Sequence, residues 1–459
     1  MENHNDQNNH PVNPRRRKRT KFQIFKETYL PAVIAGIALL LIIVFIIGSI
    51  TRSIQRKQME KKEMLAESIA ASEEQEKLDK EAADRLNTAA SFAVGYDYEN
   101  AILTLNNFSG NLSNYPDLLQ RITQYENSLE EMVLWDDPSK IINLSFQLLI
   151  EDPSRAFNDS KYGSSYKKNF ITTSEFRKIL HQLYENDYIL IRLSDVNDQL
   201  KLPKDKKPII LTQTQVNYYT YMTDSDGDKH PDAGGAGFAS KLILDATGNL
   251  TNEIVDTNGQ IVTGAFDMVP ILEAFIETHP DFTYKGARAI LAVTGYDGLF
   301  GYRTNASAKE FFGNEFWEQE VSKATEIVKT LRNTGYEIAC YTYENVAYGS
   351  RSAAQIRSDL DSWNLEVSPI LGVVDTLAYA RESDIANSNT TYSGDKYTIL
   401  KDFGFTNYLG FCTNGAPWIS VQDNVLRQGR ILVTGKNLTQ NAMWFNGIFD
   451  SQSVLDPSR

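Results

Sequence analysis

Thr173-Ser-Glu-Phe-Arg-Lys-Ile-Leu-His-Gln-Leu-Tyr-Glu-Asn-Asp-Tyr-Ile-Leu190, followed by Lys207-Pro-Ile-Ile-Leu-Thr-Gln-Thr-Gln-Val-Asn-Tyr-Tyr219, is the stretch on which the fold turns. In its first part Phe176, Ile179, Leu180 and Leu183 recur at helical spacing, and Thr172 with Glu175 has the form of a capping box, so a helix is predicted from Thr173 to Glu185. The short apolar runs Tyr188 to Leu193 and Pro208 to Thr212 then read as strands. The alternation holds on both sides. Strand Ile141 to Ile150 precedes, and helix Met268 to Glu277, strand Ala289 to Val293, helix Glu315 to Asn333 and strand Tyr336 to Tyr341 follow. Strands separated by helices are joined by crossovers, the pattern of a mainly parallel sheet or an α/β barrel. Thr220 to Gly264 and Leu299 to Asn314 read as long irregular segments, and in an α/β barrel it is the loops leaving the C-terminal strand ends that build the site.

Toward the N-terminus the composition changes. The uncharged run Leu30 to Ile50 is long enough, at ~1.5 Å per residue, to cross a hydrocarbon core of ~30 Å, and it lacks a good cleavage site, so an uncleaved anchor is expected. Seven basic residues precede it, Arg15 to Arg19 among them, and five follow within 15 residues, which predicts a cytoplasmic N-terminus and an extracytoplasmic C-terminus. The expected order is a basic tail (1–29), a transmembrane helix (30–50), a charged helical stalk (51–90), a helical hairpin neck (91–138) and the α/β domain (139–459). A fully helical stalk would reach roughly 55 Å; whether it dimerises is open. The 46 Lys+Arg against 59 Asp+Glu give a net charge of -13, which argues against nucleic acid as a partner, while 42% hydrophobic residues argue against wholesale disorder. Cys340 and Cys412 are the only cysteines, too few for a cysteine-built zinc site, and one bond between them is left open.

The order of these pieces resembles the NodB-type polysaccharide deacetylases, carbohydrate esterases that remove acetyl groups from chitin-like or peptidoglycan sugars on a distorted (β/α) barrel. Thr173 to Leu190 is similar to that family's first helix and next strand, Lys207 to Tyr219 sits where it has its Asp-Asp motif, and Glu326 to Asn345 sits where it has Gly-x-x-x-x-x-His-x-x-x-His. Gly295 to Thr304 and Leu426 to Arg430 resemble a Firmicutes branch, which implies a Gram-positive-type host. Family chemistry uses an Asp and two His to hold a divalent metal and a second Asp as base. Aligned on the resemblance, the base falls on Thr214, the metal Asp on Gln215 and the two His on Tyr341 and Asn345, none of which suits a zinc-type ion. Tyr379 to Asp384 also departs from the family's groove segment. Only His181, His230 and His279 follow the membrane run, and no two have ligand spacing, so no catalytic zinc-type metal is expected.

Two weaker constellations remain. Asp224, Asp226, Asp228 and Asp232 have the alternating spacing of a calcium loop, although Lys229 stands where such loops have Gly and no Glu follows at the twelfth position; a solvated acidic turn is the plainer reading. Tyr218, Tyr219, Tyr343 and Trp418 are candidates for stacking on a sugar, with Tyr221 and Tyr341 nearby, against the alternative of barrel packing. The sequence therefore predicts a membrane-anchored extracytoplasmic deacetylase-like protein without the deacetylase site, binding an envelope polysaccharide, peptidoglycan or a surface partner. Its rivals are an active amide hydrolase using a non-standard site around Glu382, Asp384 or the acidic insertion, and a structural spacer.

Overall fold

Between Thr51 and Val94 the sequence has neither Pro nor Gly, and nothing there breaks the i to i+4 hydrogen-bond ladder. In the computed structural model, which describes residues 20–197, 199–224, 232–233, 235–388 and 390–459, one uninterrupted helix accordingly runs from Leu30 to Val94. It ends where Gly95 is followed by Tyr96 in a left-handed conformation (φ +61°). The chain divides into two units, Met1–Glu81 and Ala82–Arg459. The first is helical through its described part, and its apolar window, with mean hydropathy 3.2 and none of it buried, is long and apolar enough to cross a membrane.

In the second unit, helices Tyr98–Asn106 and Pro116–Glu130 form the expected hairpin, with Tyr98 stacked on Tyr125 at 6.1 Å between ring centroids and with Ala101, Leu105, Leu118 and Ile122 buried. Seven strands follow: β1 (Ile142–Phe146), β2 (Lys207–Thr214), β3 (Ile290–Val293), β4 (Glu337–Cys340), β5 (Thr376–Ala378), β6 (Asn407–Phe411) and β7 (Val425–Leu432). Each pairs in parallel with the next, and β7 returns to β1 with Leu432 opposite Ser145, so the ring closes into a barrel with helices between successive strands from β1 to β6. Closure leaves the seven staves without a free edge. Tyr188–Leu190 adds a short parallel strand to the start of β2, and Ile419–Gln422 an antiparallel one to β7.

Two apolar clusters follow from this topology. The larger lies between the sheet and its helices, where Phe176 from the capped helix meets Phe146 edge to face at 5.1 Å. The smaller fills the barrel, with Ala292, Ala339, Ala378 and Ala380 leaving room for larger side chains such as Tyr341. Tyr96, Tyr98, Leu129 and Trp135 of the neck pack against this inner cluster at the end where the strands begin. Midway up, Asn143 bridges strands, accepting from Thr212 Oγ1 (2.8 Å) and donating to Gln428 Oε1 (3.0 Å).

Most expected elements fall within a few residues of the observed ones, and the capping box forms in both directions: Thr172 Oγ1 accepts from Glu175 N (3.1 Å) and Thr172 N donates to Glu175 Oε2 (2.8 Å). Three expectations are corrected. β1 stops at Phe146 rather than Ile150, because Ile150 leaves the barrel to bridge Thr172 and Phe238. Thr220 to Gly264 is not irregular throughout: Lys241–Leu244, Leu250–Val255 and Ile261–Gly264 form an antiparallel sheet, turning at Asp245 and Asp256, whose carboxylates accept backbone N–H groups two and four residues on. Leu299 to Asn314 likewise contains a helix, Ala306–Phe312.

Candidate functional site

The C-terminal ends of β1, β2, β6 and β7 and the loops after β2, β4 and β5 surround a cleft of about 480 Å³. Thr214, Gln215, Tyr341 and Asn345, far apart in sequence, all line it, with Ser145, Phe170, Tyr221, Arg381, Glu382 and Phe411. This is the end of a parallel barrel at which sites are built.

The side chains of Thr214, Gln215, Tyr341 and Asn345 are neutral and tied into the protein. Gln215 Oε1 accepts from Asn345 Nδ2 (3.1 Å), so the two side-chain amides are tied to each other across the mouth. Thr214 Oγ1 donates to Phe146 O (3.2 Å), a link within the barrel wall. Tyr341 is almost fully buried, and burial raises its phenol above the ordinary value against the opposing pull of Arg430, so it stays neutral. Among the described residues no group of three or more His, Cys, Asp or Glu is placed to hold a metal ion. His181 and His279 pack edge to face at 5.8 Å in an aromatic cluster with Phe275 and Tyr184 on the outer helices. Asp384, a candidate base in the rival reading, is engaged by Arg427 Nη2 (3.1 Å) and accepts from Tyr392 OH (2.7 Å). The proposed calcium loop falls mostly outside the described residues, Asp226 and Asp228 among them, and only Asp224 and Asp232 lie within. Cys340 and Cys412 are free and buried, and burial pushes the Cys412 thiol up to about 12.

Backbone strain gathers around the cleft. Gln215 (φ +61°), Asn345 (+53°), Arg381 (+53°) and Glu382 (+51°) are left-handed non-glycine residues, and so is the β-branched Thr342 (+61°). Such positions cost of order 1–3 kcal/mol each and survive only where surrounding contacts over-determine them. Those contacts are visible: buried Asp359 accepts from Tyr343 N (2.7 Å), Glu344 N (2.9 Å) and Tyr348 OH (2.6 Å), and Arg381 Nε donates to Asn345 O (2.7 Å).

Beneath the cleft lies Arg430, which the sequence reading quoted only as part of Leu426 to Arg430. Its side chain is 0% exposed, donates to Gly410 O (3.2 Å) and Tyr379 O (2.7 Å), and lies 4.6 Å from the Phe411 ring centroid. Burial lowers its pKa against the opposing pull of Tyr341. Ser145 Oγ and Asn345 Oδ1, both in the cleft lining, are buried without a hydrogen-bond partner, which is uncommon in folded proteins.

The stacking candidates are placed differently from expectation. Tyr218 is 1% exposed and donates to Asp267 Oδ2 (2.7 Å); Tyr219 is 3% exposed and shares a hydrogen bond with Thr294 Oγ1 (3.0 Å). Tyr343 is only half-buried, but its ring fills the space beside Gly295, and Trp418 Nε1 donates to Phe411 O (3.0 Å) as its indole covers Gly429. None of the four lines the cleft, whose aromatic walls are Phe146, Phe170, Tyr221, Tyr341 and Phe411. Behind Tyr218, Asp267 is fully buried, accepting also from Gln213 Nε2 (2.8 Å) and Leu149 N (2.9 Å), and burial raises its pKa to about 6 despite these donors.

No protein family and no curated protein matches the sequence. Solved structures similar to it include a Streptococcus pyogenes deacetylase, PplD, in complex with acetate (11% identity over 65% of this chain and 96% of that chain, TM-score 0.36). IcaB from Ammonifex degensii (12%, 66% and 96%, 0.35) and a de-N-acetylase from Aggregatibacter actinomycetemcomitans (9%, 64% and 95%, 0.36) are similar at the same level.

Proposed function

We propose that this protein is a membrane-anchored, extracytoplasmic, deacetylase-like barrel that binds a cell-envelope glycan at its mouth and does not deacetylate it. The observation that carries the reading is the Gln215–Asn345 hydrogen bond, two neutral amides paired where the resembled family places a metal-binding carboxylate and imidazole. Among the described residues the mouth presents one carboxylate, Glu382, and no set of metal ligands beside it to ionise a water for attack on an amide. It keeps what recognition of a polyhydroxylated ring needs: a concave site, aromatic walls, and an unpartnered hydroxyl and amide oxygen in the lining. The basic residues before the apolar helix support a cytoplasmic N-terminus.

The test uses the full-length protein in detergent micelles. Titration with N-acetylated and de-N-acetylated chito-oligosaccharides should give saturable binding, and acetate release should stay at background with or without added zinc, cobalt or manganese. Chelator-sensitive acetate release would overturn the inactive reading. Absence of binding to these oligomers and to purified peptidoglycan would leave a spacer role.

A further inference from the structure

Asp267 opens the helix Met268–Thr278, and its fully buried carboxylate holds three segments that build the cleft. Oδ1 accepts from Leu149 N (2.9 Å) in the loop after β1 and from Gln213 Nε2 (2.8 Å) near the end of β2, while Oδ2 accepts from Tyr218 OH (2.7 Å) in the loop after β2. Gln213 Nε2 also donates to Gln147 O (3.3 Å), and Tyr218 OH accepts from Asn252 Nδ2 (3.1 Å) of the insertion sheet. Gln147, Thr214, Gln215 and Tyr221, close in sequence to these anchors, line the cleft.

All three partners donate, which suits an ionised carboxylate and not a protonated one, whose O–H needs an acceptor. Acceptors stand idle in the same network: Gln213 Oε1 and Asn252 Oδ1 are buried without a hydrogen-bond partner. We infer that Asp267 is a positioning residue for the cleft, whose ionised carboxylate sets the loops after β1 and β2, and that uptake of one proton turns the Gln213 amide and frees Gln147 in the cleft wall. The new O–H donates to Gln213 Oε1, and the half-turn that presents Oε1 withdraws Nε2 from Gln147 O. Burial raises the Asp267 pKa to about 6 against the pull of its donors, so the group is ionised at pH 7.5 and largely protonated at pH 5.

The charges around it are engaged elsewhere. Tyr218, the ionisable group bonded to Asp267, has its phenol raised well above the ordinary value by burial and then by Asp267, and stays neutral. Glu273 on the same helix pairs with Arg288 (2.7 Å) and accepts from Tyr336 OH (2.8 Å). Glu151, beyond the loop after β1, accepts from Thr173 Oγ1 (2.8 Å), and Arg177 of the capped helix donates to Ala265 O (2.8 Å). On the insertion sheet Lys241 pairs with Glu320 (3.5 Å), and Glu253, next to Asn252, faces the other side of its strand.

An acid with a merely structural role would move stability and cleft order together. Here they separate: protonation removes the cost of a buried charge, so the fold gains stability below about pH 6, while the cleft wall loses its clamp. The consequence for a ligand rests on the glycan reading of the cleft; the loosening of the loops does not.

The experiment is hydrogen exchange of the full-length protein in micelles at pH 7.5 and pH 5, corrected for the intrinsic rate at each pH, beside calorimetric titration with N-acetylated chitotetraose, which carries no charge in this range. Residues 145–151 should lose about fivefold or more in protection at pH 5 while stability to urea rises, and tetraose affinity should fall about threefold or more. Asp267→Asn, which presents the same kind of donor as the protonated acid, should show the low protection and low affinity at both pH values, and so should Gln213→Met, which removes the amide. Protection that is unchanged or rises with global stability, or a pH dependence that survives both substitutions, overturns the inference. Tetraose that binds at neither pH overturns the glycan reading, and the exchange measurement then decides this inference by itself.

Discussion

Replacing Arg459 with Met removes a charge but keeps most of the aliphatic stem, and the partner left behind is the most deeply buried carboxylate on the capped helix. Glu175 is 0% exposed; its Oε1 accepts from Arg459 Nε (2.6 Å) and Asp456 N (3.1 Å), and its Oε2 from Arg459 Nη2 (2.6 Å) and Thr172 N (2.8 Å). In Arg459→Met only the two backbone N–H groups remain to stabilise the ion. Breaking one side of a buried pair costs roughly 3–5 kcal/mol. The bonds from Arg459 to Phe170 O and Lys167 O add a loss of about 1–2 kcal/mol. Urea unfolding of the full-length protein followed by tryptophan fluorescence should therefore show a deficit of about 4–7 kcal/mol at pH 7. Adding Glu175→Gln should recover much of it, because the amide leaves no buried charge unpaired. A deficit below about 1 kcal/mol would refute the reasoning.

Asp267, with its pKa raised to about 6 from an unfolded value of 3.8, is a buried acid that destabilises the fold when ionised: the penalty is fully present above pH 6, fades as pH falls and is gone below about pH 4. Asp267→Asn should flatten the corresponding segment of the stability–pH curve, about 3 kcal/mol in height, and an unchanged slope would exclude Asp267 as its source. Phe176→Ala empties a fully buried site against Phe146 and should cost about 3–5 kcal/mol in the same urea assay; a loss under 1.5 kcal/mol would mean the cluster collapses around the gap. Zinc at millimolar concentration should leave the melting temperature within about one degree, since an ion that does not bind the native state cannot shift it; a rise of several degrees would reveal a metal site. Asp359→Asn should weaken the clamp on the loop carrying Asn345 and lower oligosaccharide affinity more than it lowers stability, and equal binding to wild type would remove Asp359 as a positioning residue.

Periodicity made the framework legible. The capped helix Thr173–Glu185 and strands β2 to β4 could be read because each carries an apolar repeat or run that its final environment requires. The insertion sheet was missed although Leu250, Asn252 and Ile254 alternate with half-buried neighbours, since the buried Asn252 breaks the apolar pattern, and its amide donates to Tyr218 OH (3.1 Å), a partner sequence cannot show. Thr214, Gln215, Tyr341 and Asn345 were singled out by order along the chain, and the fold brings them to one cleft. Ring orientation was not legible: whether Tyr218 or Tyr221 faces the cleft depends on a left-handed backbone at Gln215 and Tyr218 (φ +50°), where no glycine warns of the turn. Arg430 went unread because its strand, Val425–Leu432, also carries Arg427 and Gln428, and nothing in that polar pattern shows that all three side chains are buried.

Arg430 sets a condition on any attempt to engineer a metal centre into the mouth. At an effective dielectric of ~20, a doubly charged ion placed ~7 Å from a guanidinium is repelled by about 5 kcal/mol. Aspartates and histidines introduced at Thr214, Gln215, Tyr341 and Asn345 would place an ion above the fully buried Arg430. Such a design would have to begin below the mouth, by exchanging this cation for a neutral side chain, before ligands above it could capture zinc.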